Sequence, residues 1–116
     1  MKIAAMKHRR SSKEIKELLP RVKHLLEKLY GDRLEDVILY GSFARGQADQ
    51  DSDIDIAVVL KGPVHKPEEI DKIYDVIYEL MLESGELISV FPVSEHEIKN
   101  RVWPLYHYIR KEGVRQ

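Results

Sequence analysis

Asp53 and Asp55 are the residues of this chain whose types and spacing speak most directly of chemistry. They open an apolar run, Ile54 to Leu60, and a strand sends residues i and i+2 to the same face while the residue between them turns away. The two carboxylates therefore project together. With charged oxygens about 5 Å apart and an effective dielectric near ~20, their repulsion is on the order of 3 kcal/mol. A hard divalent cation offsets such a pair, because it prefers oxygen ligands and is commonly shared between one or two carboxylates and substrate phosphates.

A second feature precedes the pair. Val37 to Tyr40 is a short apolar run that stops at Gly41-Ser42 and leads into Ala44-Arg45-Gly46. A glycine and a serine between a buried strand and a helix start offer free backbone N–H groups where a phosphate is attracted. Gly41 admits close approach of a ligand to the backbone, and the Ser42 hydroxyl can donate to a terminal phosphate. Arg45 could clamp a phosphate or brace the two aspartates, and the letters leave both roles open. A phosphate cradle beside a cation site is what phosphoryl or nucleotidyl transfer needs, since that chemistry works by positioning and by neutralising developing charge.

Other phosphate and metal motifs do not fit. Gly41 and Gly46 have Walker A spacing, but Gln47 and Ala48 stand where Lys and Ser or Thr should follow. No G-x-G-x-x-G occurs, which removes the dinucleotide fingerprint. Asp49, Asp51, Asp53 and Asp55 alternate like a calcium loop, yet Ile54 with Leu60, or Ile56 with Gly62, occupy the positions that require Gly and Glu.

Gly41-Ser42-Phe43-Ala44-Arg45-Gly46 followed by Ser52-Asp53-Ile54-Asp55-Ile56 resembles the G-S-x-A-R-G…S-D-x-D signature of the minimal nucleotidyltransferases of the polymerase-β-like superfamily. The likeness extends from Gly31-Asp32 to the closing Pro104-Leu105-Tyr106 and Ile109 to Val114. It implies the nucleotidyltransferase fold, with Asp53 and Asp55 binding one or two Mg²⁺ ions, Gly41 and Ser42 holding the phosphates of ATP, and AMP passing to an acceptor hydroxyl. It also implies a partner, since such enzymes are typically encoded with a HEPN-domain protein that they silence as antitoxins. Members often carry a third carboxylate on the adjacent strand. Here Ser89 occupies the middle of that strand and Glu86 lies at its mouth, so Glu86 is the candidate third ligand, on a face the sequence leaves undetermined. Two other functions stay open: a binding antitoxin with a vestigial nucleotide site, and transfer to a small molecule or an RNA end.

The elements that must position these residues follow from periodicity. Ser11 or Ser12 caps a helical pattern in which Ile15, Leu18, Leu19, Val22, Leu25, Leu26 and Leu29 recur at threes and fours. Pro20 predicts a kink or a restart, and Gly31 an end. Pro67-Glu68-Glu69 begins a second helix, with the acids at the positive end of its dipole and Ile70, Ile73, Ile77, Leu80 and Met81 as the buried stripe. Tyr74 and Tyr78 flank that stripe as packing residues. Leu87 to Val93 alternates as a third strand, and residues 95–116 read as one or two short helices broken before Pro104, with Trp103 among their apolar side chains. The expected order is helix, strand, strand, helix, strand, helix: an α/β (α+β) fold with a small mixed sheet and helices packed mainly on one face.

Composition narrows the classes. A chain of 116 residues with 43% hydrophobic content suits one domain, residues 1–116. Larger relatives have a second domain that walls the cleft, which this chain has no room for, so a partner is expected to supply it, with the oligomeric state left open. The net charge of −1 gives no global steering to nucleic acid, and no stretch mixes basic and aromatic residues as a nucleic-acid surface does. The basic Lys7-His8-Arg9-Arg10 is expected to be solvated. Without cysteine there are no disulfides or thiolate zinc sites. His96 and His107 are too isolated for a metal site. With neither a signal-peptide pattern nor a membrane span, a soluble cytoplasmic protein is expected.

Overall fold

The computed structural model describes residues 12–48, 52–100 and 104–116; the basic run before Ser12, Asp49, Asp51 and Trp103 lie outside them. Its elements are α1 (Ser12–Tyr30), a 3-10 turn (Gly31–Arg33), β1 (Leu34–Tyr40), β2 (Ile54–Leu60), α2 (Lys66–Ser84), β3 (Ile88–Ser94), α3 (Glu95–Asn100), α4 (Pro104–Glu112) and β4 (Val114–Arg115). The sheet order is β3-β2-β1-β4, with β1 antiparallel to both β2 and β4, and β2 parallel to β3. This is the mixed α/β architecture expected from the sequence. No helix among the described residues is long and apolar enough to cross a membrane.

β2 occupies a central position because its residues are apolar on both sides. Ile54, Ile56, Val58 and Leu60 are buried with Val37 and Leu39 of β1 and Ile88 and Val90 of β3, under Ile15, Leu18, Leu19, Val22 and Leu26 of α1 and Ile73, Ile77 and Leu80 of α2. The alternate residues Ala57 and Val59 turn to the other face, where Val93, Ile98, Tyr106 and Ile109 cover them. The two long helices therefore share one face, and the short α3 and α4 cover part of the other. Asp55 has the parity of Ala57 and Val59, so it belongs to this second face.

Two local expectations change. α1 runs unbroken through Pro20, which is exposed while its neighbours Leu18, Leu19 and Val22 are buried. Packing on both sides of the proline outweighs the one backbone hydrogen bond it cannot make. Glu69, expected as a dipole-compensating acid in the first turn of α2, is instead 3% exposed. Tyr30 donates to Glu69 Oε1 at 3.0 Å, Arg33 Nη1 donates to Oε2 at 3.0 Å, and Lys72 Nζ stands 3.8 Å away. Arg33 also donates to the carbonyls of Lys61 (3.1 Å) and Pro63. One buried carboxylate thus ties the end of α1 to α2, while its arginine partner holds the loop after β2. Tyr74 also exceeds simple packing: its hydroxyl donates to the Ile88 carbonyl at 2.7 Å and accepts from the Val90 N–H at 3.3 Å, covering part of the outer edge of β3.

Burial alone would raise the Glu69 carboxyl, but the bonds from Arg33 and Tyr30 and the charges of Arg33 and Lys72 overcome it and hold the group below its ordinary range. A depressed carboxyl contributes stability that is present above its unfolded pKa and is lost as pH falls through its folded one. Glu69→Gln should cost about 2–4 kcal/mol at pH 7, with the gap to the parent closing in acid below about pH 4. Denaturant titrations at both pH values check this, and a constant gap would contradict it.

Candidate active site

Tyr40, the last residue of β1, is the antiparallel partner of Asp55. The next residue, Gly41, has φ +75°, in the left-handed region that glycine enters without strain. A side-chain carbon on Gly41 would collide with Asp55 Oδ2 and lie 3.2 Å from its Cγ. Glycine is required here twice over, once by the backbone angle and once because the carboxylate fills the space. The end of β1 and the opening of β2 form one place.

Beyond Gly41 the expected helix start is a single turn. The Arg45 N–H donates to the Gly41 carbonyl (3.1 Å), Gln47 N–H to Ser42 (2.9 Å) and Gly46 N–H to Phe43 (3.3 Å). Ser42 is half-buried within it. In a turn of this hand the leading N–H groups project toward its start, which here is the end of β1 beside Asp55. Arg45 donates through Nε to Gln47 Oε1 at 3.2 Å, and its Nη1 lies 3.5 Å from Glu112 Oε2.

Gly41, Asp55, Asp53 and Arg45 are therefore brought together, with Ser42 in the same turn. The charges acting on Asp55 are those of Asp53 and Arg45. Glu86 is placed differently. The parallel register sets Ser89, not Glu86, beside Asp55, and Ser89 is exposed. Glu86 precedes β3 on the parity of Ile88 and Val90, whose side chains belong to the helix-covered core, and is itself 7% exposed. Ser89 thus holds the position beside Asp55 on β3, and Glu86 lies on the helix-covered face. Among the described residues no group of three or more His, Asp or Glu side chains is gathered as a metal site.

A family model described as a nucleotidyltransferase domain matches residues 11–110. The chain belongs to the nucleotidyltransferase domain family. This nucleotidyltransferase is 32% identical over 102 residues to a candidate protein adenylyltransferase of Methanocaldococcus jannaschii, covering 87% of this chain and 92% of the relative. A second candidate protein adenylyltransferase of that organism is 32% identical over 74 residues, 60% of this chain and 75% of its own length. Among solved structures, a candidate nucleotidyltransferase from Sulfolobus solfataricus superposes with a TM-score of 0.56 at 24% identity, covering 91% of this chain and 87% of that one. A candidate minimal nucleotidyltransferase superposes with a TM-score of 0.53 at 22% identity, covering 90% and 98%. These two likenesses concern the fold.

Two residues beside this candidate site are not marked by the sequence motifs. Tyr40 read as the end of an apolar strand, yet pairing with Asp55 puts it on the site's face, packed against the core that includes Ala57 and Tyr106. Its hydroxyl pKa is pushed up to about 12 by burial and by the charge of Asp55, so it stays neutral near pH 7. Glu112 appeared only within the closing run; the sole local signal for it is the Glu-Gly step at a helix end.

Burial first, and then the charge of Asp53, raise the Asp55 carboxyl above its ordinary value, with Arg45 acting in the opposite direction. The folded chain therefore holds that proton more tightly than the unfolded chain. Ionisation costs stability above the raised folded pKa, and the loss is recovered as pH falls through it to the unfolded value. In metal-free nucleotidyltransferase, Asp55→Asn should raise the melting temperature at pH 7 by about 2–5 °C, with the gain fading in acid. A melting series in chelator across pH checks this; a variant less stable than the parent at pH 7 would contradict it. Gly41→Ala should do the reverse, losing about 1–3 kcal/mol through its backbone angle and its clash with Asp55, together with nucleotide binding, as read by denaturation and calorimetry.

Proposed function

We propose that this nucleotidyltransferase transfers AMP from ATP, with Mg²⁺, to a hydroxyl on a protein acceptor, and that the acceptor is a HEPN-domain partner which it silences as an antitoxin. The observation that supports the chemistry is the close approach of Gly41 to Asp55, where the turn after β1 meets the opening of β2. The names of the Methanocaldococcus relatives, candidate protein adenylyltransferases, support AMP as the group transferred and a protein as its acceptor. The HEPN partner is drawn from the resemblance of the G-S-F-A-R-G and S-D-I-D-I runs to minimal nucleotidyltransferases.

The residues present fit a divalent cation. Asp53 and Asp55 offer hard oxygen donors, and the proton affinity of Asp55 is raised by burial first and then by the charge of Asp53, a repulsion that a cation would relieve. Two carboxylates suffice for Mg²⁺, which keeps several waters and shares substrate phosphates, so a hydroxyl at Ser89 is compatible with the ion. When bound, the metal supplies polarisation of the α-phosphate and stabilises the charge on departing pyrophosphate.

The chain's own groups do the rest. Gly41 leaves room for Asp55 at the strand end, Ser42 donates its hydroxyl to a phosphate oxygen, and Arg45 adds a positive charge at the rim. Tyr40 closes the floor with a neutral ring. In the reaction, the acceptor oxygen forms a bond to the α-phosphorus, the bond from that phosphorus to the pyrophosphate oxygen breaks, and the hydroxyl proton is released to solvent.

Incubation with labelled ATP, Mg²⁺ and the HEPN-domain partner, followed by mass analysis, tests both parts. An AMP-sized increase on the partner is expected, with Asp53→Asn and Asp55→Asn each lowering the rate at least about 10²-fold. Labelling of an added small molecule or RNA, with the partner unmodified, would replace the acceptor. A partner silenced with no labelling at all would replace transfer by contact inhibition.

A further inference from the structure

We infer that Glu112 is a positioning residue for Arg45, setting its guanidinium over the phosphate turn before nucleotide arrives. The inference rests on the assignment of Gly41 to Arg45 as the phosphate site.

The segment from α4 through β4 is fastened along β1 at several points. β4 places Val114 opposite Leu39 and Arg115 opposite Ile38, and the Gln116 N–H donates to the Val37 carbonyl at 2.8 Å. Arg115 Nε lies 2.8 Å from Asp36 Oδ2, and Lys23 Nζ donates to the Gln116 carbonyl at 2.7 Å. Gly113 makes the junction with α4: its N–H donates to the Ile109 carbonyl at 3.0 Å, and a side-chain carbon there would collide with both that oxygen and Ile38 Cγ2. Glu112 is the last residue of α4 and Gly113 alone separates it from β4, so fastening β4 along β1 also fixes this helix end. A carboxylate is thereby held beside the turn after β1, where Glu112 Oε2 lies 3.5 Å from Arg45 Nη1 while Arg45 Nε donates to Gln47.

A free arginine at a rim pays rotamer entropy when it engages a phosphate. Arg45 is held at Nη1 and at Nε, so part of that ordering is complete beforehand, and among the described residues no other partner takes its remaining donors, a planar fork suited to phosphate. An exposed ion pair of this kind adds little to stability, so its effect should appear in binding rather than in folding.

Calorimetric titration of Mg-ATP into the parent, Glu112→Gln, Arg45→Gln and the double variant tests the inference, with Glu112→Asp as the conservative control. Glu112→Gln should weaken binding about three- to fivefold without moving the melting temperature, and Glu112→Asp should keep part of the affinity. In the Arg45→Gln background, Glu112→Gln should have no further effect. Unchanged affinity in Glu112→Gln, or the same loss with and without Arg45, would overturn the inference while leaving the phosphate site standing. Failure of the parent itself to bind Mg-ATP would overturn the phosphate site and this inference with it.

Discussion

The antiparallel register between β1 and β2 is the constraint on which the site depends. Setting Tyr40 opposite Asp55 brings Gly41 against the carboxylate, and a slip of one residue would carry Asp55 into the helix-covered core. The register is secured by burial on both sides. Ile54, Ile56, Val58 and Leu60 must meet α1 and α2, while Ala57 and Val59 must meet α3 and α4. An unpaired carboxylate forced under α1 and α2 would cost several kcal/mol, so the apolar pattern and the acidic pattern select the same alignment.

That alignment also fixes the electrostatics. Asp55 is half-buried and feels Asp53 beside it, with Arg45 from the turn as the compensating charge. Ionising Asp55 carries a local cost from burial and from Asp53, while at the opposite end of β2 Glu69, Tyr30 and Arg33 tie the core together. One carboxylate is buried and satisfied; the other is kept partly open and in tension. The same residue class serves structure in one place and chemistry in the other, according to what surrounds it.

Much of this was legible in the letters. The i, i+2 acids and the Gly-Ser turn follow from strand periodicity and from glycine's freedom at positive φ, and their order along the chain needed no tertiary knowledge. What the letters withheld depends on register and on contacts between distant segments. Ser89 and Glu86 differ by strand parity, and the parity facing Asp55 is set by the pairing of β2 with β3. β4 is a strand of two residues, too short to show alternation, and only its pairing with β1 brings Glu112 near Arg45. Glu69 looked like any acid in a first helical turn, because its partners lie far from it in sequence. Pro20 left a kink or a restart open, and the restart is removed by apolar contacts on either side of the proline that propensity does not count.

The central claim is that metal and triphosphate share one pocket between the turn after β1 and the opening of β2. It is tested most directly by a crystal structure with Mn²⁺ and a non-hydrolysable ATP analogue, locating the metal by its anomalous signal. Metal bonded to Asp53 and Asp55, with the analogue's phosphates against Gly41 and Ser42, is the expected result. Metal and nucleotide bound on the face covered by α1 and α2, or at separate places on the surface, would contradict it.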